Sequence, residues 1–296
     1  MTTFNSQPKT WQDPILPDWE SIKLPDTWPD SINFSSAKDL LRFFAAILGK
    51  RKRVEVSTDL FGLDNIPKYA LQEFHSLPNG NYSNSITKGY IKGFDMMMLG
   101  TLDKSRDNLA GFLQQSDSVL DVGCAGGKTA AAVKRKGVPD VWGLDVSPYL
   151  LKVAAEENPA IKFLHGAAEN TGFSDQRFDG ISACFLFHEI PPKYASQALK
   201  EFNRILKPGG RLAIAEPSPL QFMLGNPLTL YKHGGFSALY FKVLAHSVHE
   251  PFVEAWHKTD IKPWLEAHGF KLVKDDVGYP IREIYAEKVN CQTAYC

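Results

Sequence analysis

The chain has 296 residues, 44% of them apolar and 22% charged, with 33 basic residues against 33 acidic ones. That length allows one large domain or a domain with a cap, and the apolar fraction excludes an intrinsically disordered chain. A formal net charge of zero leaves no global positive field to hold a nucleic-acid backbone, so no nucleic-acid partner is expected.

Cys124, Cys184, Cys291 and Cys296 contain no Cys-x-x-Cys pair and are too sparse for a disulfide-stapled scaffold, which points to a reducing compartment. The N-terminal residues carry neither a basic nor an apolar leader, and no run reaches the roughly 18 apolar residues of a membrane span. A cytoplasmic protein is expected.

Residues 1–34 set Pro8, Pro14, Pro17, Pro25 and Pro29 among Trp11, Trp19 and Trp28, a pattern that blocks regular structure and predicts an extended arm docked on the body. Residues 35–115 are expected to form a helical cap and substrate region. Its first helix follows Ser36 and carries Leu40, Leu41, Phe43, Phe44, Ile47 and Leu48 at helical spacing. The Lys50-Arg51-Lys52-Arg53 run after it suits the helix C-terminus, and a solvated helix end is preferred over a phosphate or membrane patch. Residues 66–115 read as mostly helical, broken at Pro78-Asn79-Gly80-Asn81. Tyr82, Tyr90, Phe94 and Met96-Met97-Met98 there suit an apolar or aromatic small-molecule substrate, or equally a core.

From residue 119 short apolar runs at 119–122, 141–144, 161–164, 180–186 and 211–215 alternate with helical stretches at 128–136, 149–157 and 194–206. That alternation predicts parallel βαβ units and an α/β, Rossmann-like sheet with helices on both faces. Residues 220–258 read as a lid insertion within a domain spanning 116–296, followed by a helix near 260–268 and strands near 270–274 and 281–288.

The segment Val119-Leu120-Asp121-Val122-Gly123-Cys124-Ala125-Gly126-Gly127 runs a strand into a glycine-rich turn and a helix. A phosphate-cradling P-loop fails on spacing, because Val122 stands where its first glycine belongs. A dinucleotide fingerprint is weakened by Ala125 in place of a glycine. Taken with Gly143-Leu144-Asp145-Val146-Ser147, Gly166-Ala167-Ala168-Glu169, Phe178-Asp179 and Ile205-Leu206-Lys207-Pro208-Gly209-Gly210-Arg211-Leu212, the loop resembles the class I S-adenosylmethionine-dependent methyltransferases over about residues 115–217. The sub-pattern is similar to the small-molecule branch that includes ubiquinone- and menaquinone-biosynthesis methyltransferases. Ile66-Pro67, Leu71-Gln72, Phe74-His75, Gly80, Tyr90 and Gly100-Thr101 add a second resemblance, to the leader of a subgroup of that branch.

The resemblance implies a seven-stranded, mostly parallel sheet with an antiparallel last strand, and S-adenosyl-L-methionine as cofactor. It places Asp121, Gly123, Cys124, Ala125, Gly126, Asp145, Val146, Ala168, Glu169 and Cys184 at that cofactor, with Asp145 accepting the ribose hydroxyls. Many relatives have Asp where this chain has Ala167, and Glu169 is the available substitute toward the adenine. Cys184, after an apolar strand, reads as a small buried residue. His188 and Glu189 follow at the sheet's carboxyl edge, His188 as a base or substrate-orienting group or a histidine bonded to a loop carbonyl, and Glu189 as its partner or a helix cap. His246, His249, Glu250, Trp256 and His257 show no metal-ligand spacing, and no metal is expected. The alternatives kept open are a nicotinamide-dinucleotide oxidoreductase and a non-catalytic cofactor-binding protein. A homo-oligomer is left open.

Overall fold

A computed structural model describes residues 13–49, 51–223, 227–247 and 250–290. The strands β1 (Ser118–Val122), β2 (Asp140–Asp145), β3 (Lys162–His165), β4 (Phe178–Cys184), β5 (Leu206–Pro217), β6 (Phe270–Val277) and β7 (Ile281–Lys288) form one sheet in the order β3-β2-β1-β4-β5-β7-β6. The first five are parallel, and β7 runs antiparallel to both β5 and β6. Val122 faces Leu144 on one side and Ala183 on the other. Three carboxyl ends are thus level where the strand order reverses, the place where open α/β sheets leave a crevice.

Strand alternation divides the core. Leu120 and Val122 turn to the face covered by α6 (Pro192–Ile205) and α10 (Ile261–Glu266), with Leu199, Phe202 and Leu265. Val119 and Val141 turn to the other face, covered by α3 (Thr101–Leu113), α4 (Lys128–Arg135) and α5 (Pro148–Glu157), with Leu109, Val133 and Leu151. Both faces are dry, which is why these strands read as continuous apolar runs.

The expected cap is less helical than its sequence suggests. α1 (Ala37–Leu48) and α2 (Asn84–Met97) form, each with a serine cap, but residues 51–83 run in turns and two 3₁₀ pieces, Leu63–Asn65 and Lys68–Ala70. Pro67 and Pro78 deny this stretch helical hydrogen bonds, and side chains hold it instead. Asn79 Oδ1 accepts from the Glu55 N–H at 2.7 Å, and Glu73 accepts from the Lys52 and Asn79 N–H groups at 3.1 and 3.2 Å. α3 belongs to the sheet layer rather than the cap. The described part of the arm is docked and extended except for a 3₁₀ helix at Trp28–Ser31, where Thr27 and Asp30 form a capping box: Trp19 donates to the Phe163 carbonyl at 2.9 Å, and Tyr149 donates to the Pro25 carbonyl at 2.6 Å.

β4 stops at Cys184 instead of running to 186, because Phe185 takes a left-handed φ of 60° and turns the chain away. The insertion forms α7 (Leu220–Met223), α8 (Pro227–Ser247) and α9 (Val253–His257). Residues 1–12, with Pro8 and Trp11, and Lys50, His249, Cys291 and Cys296 lie outside the described residues, as does the side chain of His246. Among the described residues no helix is long and apolar enough to cross a membrane.

Candidate active site

The carboxyl ends of β1, β2 and β4, with α2 above them, enclose a crevice of about 1190 Å³, open solvent at its mouth included. Its floor is the loop of Gly123, Cys124, Ala125 and Gly126, and its walls include Asp145, Val146, Ala168, Cys184 and Glu189. Tyr82, Tyr90 and Phe94 close it from the cap side. The loop needs its small residues. Gly123 has φ +67°, and a Cβ there would lie 2.9 Å from the Leu186 side chain.

Asp145 ends β2 and fixes that loop, since its Oδ2 accepts from the Ala125 N–H at 2.9 Å and its Oδ1 accepts from the Ser147 N–H at 2.9 Å. Ala125 stands at φ 46°, a strained conformation for a residue with a Cβ, and the carboxylate holds it there. Burial pushes the Asp145 carboxyl up to about 6, against the lowering effect of those two N–H groups. Each oxygen keeps a lone pair beside the cavity, as a ribose diol requires.

Asp121 does something else. It is buried below the loop, where it accepts from the Ala130 N–H at 3.0 Å and the Ser182 hydroxyl at 2.8 Å, tying the start of α4 to β4. It does not reach the crevice wall, and burial pushes it up to about 7. Glu169 is also off the crevice: its carboxylate accepts from the Tyr69 hydroxyl at 3.0 and 2.8 Å, and Tyr69 itself is the crevice residue.

Arg106 of α3 and Lys128 of α4, which the sequence reading missed, line the crevice beside Cys184 and the loop. Both pair with Asp95, Arg106 at 2.8 Å. Arg106 Nε is buried without a hydrogen-bond partner, a cationic donor beside the glycine loop. An unmatched donor here and an acceptor pair at Asp145 fit the two polar ends of an aminocarboxylated nucleoside.

His188 departs most from expectation. It is wholly buried away from the cavity, with Nδ1 2.6 Å from Glu216 Oε2 and Nε2 3.2 Å from Glu250 Oε2. Its turn after β4 points the ring behind the wall, because Glu216 at the end of β5 also accepts the Leu186 and Phe187 N–H groups at 2.9 and 2.7 Å. Glu250 continues to His75, whose Nδ1 lies 2.9 Å from Glu250 Oε1, and His75 Nε2 lies 2.8 Å from Glu189 Oε1. Glu189 thus reaches the crevice at the end of a chain of alternating carboxylates and imidazoles. Burial works against charge on His75, but Glu250 and Glu189 outweigh it and raise its pKa to about 10. Glu250 and Glu216 likewise hold His188 well above its ordinary value despite burial. Burial raises Glu250, yet the two imidazolium neighbours hold it below the carboxylate range. His75, Glu189 and Glu250 offer ligand atoms within 4.8 Å of one another; His75 Nε2 is hydrogen-bonded to Glu189, whereas Nδ1 lies near Glu250 without an aligned hydrogen bond.

Beyond His188 and Glu189, the sequence signals for this series of side chains were His75 in the second leader motif and Glu250 in the tail cluster. Glu216 gave none, because an acid at the end of a strand is common.

Residues 120–214 match the methyltransferase domain family. The chain carries a class I S-adenosylmethionine-dependent methyltransferase domain. A demethylmenaquinone methyltransferase of Chlorobaculum tepidum is 28% identical over 183 residues, 62% of this chain and 72% of that protein. A demethylmenaquinone methyltransferase of Paenarthrobacter aurescens is 34% identical over 159 residues, 51% of this chain and 61% of that protein, so this chain spans less than two thirds of its length. A solved structure of a SAM dependent methyltransferase from Aquifex aeolicus aligns with TM-score 0.46 at 22% identity, over 62% of this chain and 89% of that one. In this methyltransferase the glycine loop and Asp145 stand at the carboxyl edge of the parallel strands, beside the crevice.

Proposed function

We propose that this methyltransferase acts on a quinone-like, hydroxylated aromatic acceptor, and that Glu189 is the residue that orients it. The observation that carries the reading is the Glu189 carboxylate at the crevice wall, held by His75 and set among aromatic side chains. His75 stacks on Tyr90 at 5.3 Å, Tyr90 meets Phe94 at 5.3 Å, and Phe94 meets Phe185 at 5.9 Å. A flat apolar ring suits those walls, and its hydroxyl suits a fixed carboxylate acceptor. Beyond Phe94 and Phe185 a second, smaller pocket lined by Met97, Met98, Phe222 and Phe241 gives an apolar substituent a surface to lie on. The demethylmenaquinone enzymes among the relatives support the same acceptor class.

S-adenosylmethionine, when bound, supplies an electrophilic methyl group on a sulfonium. Asp145 would hold its ribose and Arg106 its carboxylate, while Gly123, Cys124, Ala125, Gly126, Val146, Ala168 and Cys184 shape the crevice around it. Glu189 would accept the acceptor's hydroxyl proton or hydrogen bond and raise electron density on the ring. Tyr82, Tyr90 and Phe94 would exclude water and align the two reactants, which is most of what an in-line displacement asks of an enzyme. Free Cys124 and Cys184 beside the crevice favour a cytoplasmic, reducing setting.

The test is formation of S-adenosylhomocysteine with a panel of reduced naphthoquinones, benzoquinols, catechols and aliphatic amines. Turnover with the quinols and its loss in Glu189→Gln support the reading. Turnover confined to amines would overturn it.

A further inference from the structure

α1 holds six large apolar side chains, Leu40, Leu41, Phe43, Phe44, Ile47 and Leu48, yet none of its residues is buried. Leu40, Phe43 and Ile47 are half-buried, whereas Leu41, Phe44 and Leu48 are 71, 54 and 83% exposed. Those three stand at i, i+3 and i+7, one line along the helix. Phe34, before the helix, is 63% exposed with its ring 5.8 Å from that of Phe43. Lys38 and Arg42 occupy the adjoining face, and Lys52 and Arg53 are exposed just beyond the helix. Residues 38–53 carry six basic side chains against Asp39 alone.

We propose that α1 is an interfacial helix that seats this protein on an anionic lipid surface. An apolar line flanked by lysine and arginine is what such a surface binds, through apolar insertion and headgroup attraction together. The basic residues alone would suit any polyanion, but exposed leucines and phenylalanines gain nothing from a nucleic-acid backbone. A second copy of the chain would bring like charges face to face, and three or four side chains fall far short of the roughly 1,200–2,000 Å² of a stable interface. The helix is also joined to the crevice: Arg51 lies 5.9 Å over the ring of Phe74, which lines the crevice and precedes His75. An acceptor dissolved in lipid would therefore enter beside the wall that carries Glu189.

The experiment is co-sedimentation of the full chain with phosphatidylcholine vesicles, with and without phosphatidylglycerol, which reads lipid binding whatever the acceptor proves to be. Binding should require phosphatidylglycerol and weaken with salt. The triple variant Leu41→Ser, Phe44→Ser, Leu48→Ser should lower the partition coefficient at least about tenfold. The double variant Lys52→Glu, Arg53→Glu should lower it by about fivefold or more per residue changed and remove the preference for the anionic lipid. S-adenosylhomocysteine affinity, unchanged in both variants, certifies the fold. Absence of binding to phosphatidylglycerol vesicles, or equal binding by the triple variant, overturns the proposal. So does a dimer that the triple variant splits while lipid binding is absent.

Discussion

The Nδ1 of His188 lies 2.6 Å from Oε2 of Glu216, and both side chains are fully enclosed. This pair sets the turn from which Phe185, Leu186 and Glu189 face the crevice, so His188 serves the site from behind. Removing one partner of a buried ion pair costs about 3–5 kcal/mol. His188→Ala should therefore lower the unfolding free energy by about that amount. In the fraction that stays folded, turnover should keep the pH dependence of the parent. A variant of full stability that loses turnover together with the parent's decline on the acid side would return His188 to the role of base.

The linked chain of Glu189, His75, Glu250 and His188 makes stability depend on pH in a definite direction. His75 is raised from an unfolded value of about 6.5 to about 10, so its contribution is complete below the first value and is lost as pH rises through the second. Glu250 is depressed, so its contribution is present above about 4.5 and is lost at lower pH. Urea midpoints of the parent and Glu250→Gln should differ most between about pH 5 and 6.5 and converge steadily as pH rises from there through about 10. A difference that does not change across that range would show that the two side chains are not coupled.

How much of this was legible in the sequence follows from where each signal sits. The parallel strands and the glycine loop were readable because continuous apolar runs, buried on both sheet faces, and the turn at Gly123 are local in sequence. Asp145 was readable because it ends a strand beside that loop. His188 and Glu189 are adjacent in sequence, and only the turn at Phe185 sends one behind the wall and the other onto it. Glu216 and Glu250 reach His188 from 28 and 62 positions away, a closure made by the tertiary packing of β5 and the lid. Residues 66–77, read as mostly helical, instead run in turns because side-chain hydrogen bonds from Asn79 and Glu73 replace the backbone ladder there.

Asp145 should govern cofactor affinity through its ionised form. Each hydrogen bond to a charged group is worth about 1.5–3 kcal/mol, so Asp145→Ala should weaken S-adenosylhomocysteine binding at least about tenfold. In the parent, affinity should decline as pH falls through about 6, where the carboxyl takes up a proton. The same raised pKa means that burying the charge destabilises the free protein at neutral pH, and that this cost relaxes on acidification. Calorimetric titration between pH 5 and 8 reads the first effect. An affinity that is flat over that range and unchanged in Asp145→Ala would remove the ribose from this carboxylate.

Arg106 allows a test that separates the two ends of the cofactor. Its Nε–H is buried and unmatched beside the loop, while its Nη1 pairs with Asp95 at 2.8 Å. If this donor takes the carboxylate, Arg106→Gln should weaken binding of S-adenosylhomocysteine by about ten- to hundredfold, the worth of one charged hydrogen bond. Binding of 5′-methylthioadenosine, which has the nucleoside and no aminocarboxylate, should not change. Arg106→Lys keeps the charge without the fork and should recover only part of the loss. Equal weakening of both ligands would show that Arg106 acts by holding α3 against the loop, since a packing defect cannot distinguish a ligand that has the carboxylate from one that lacks it.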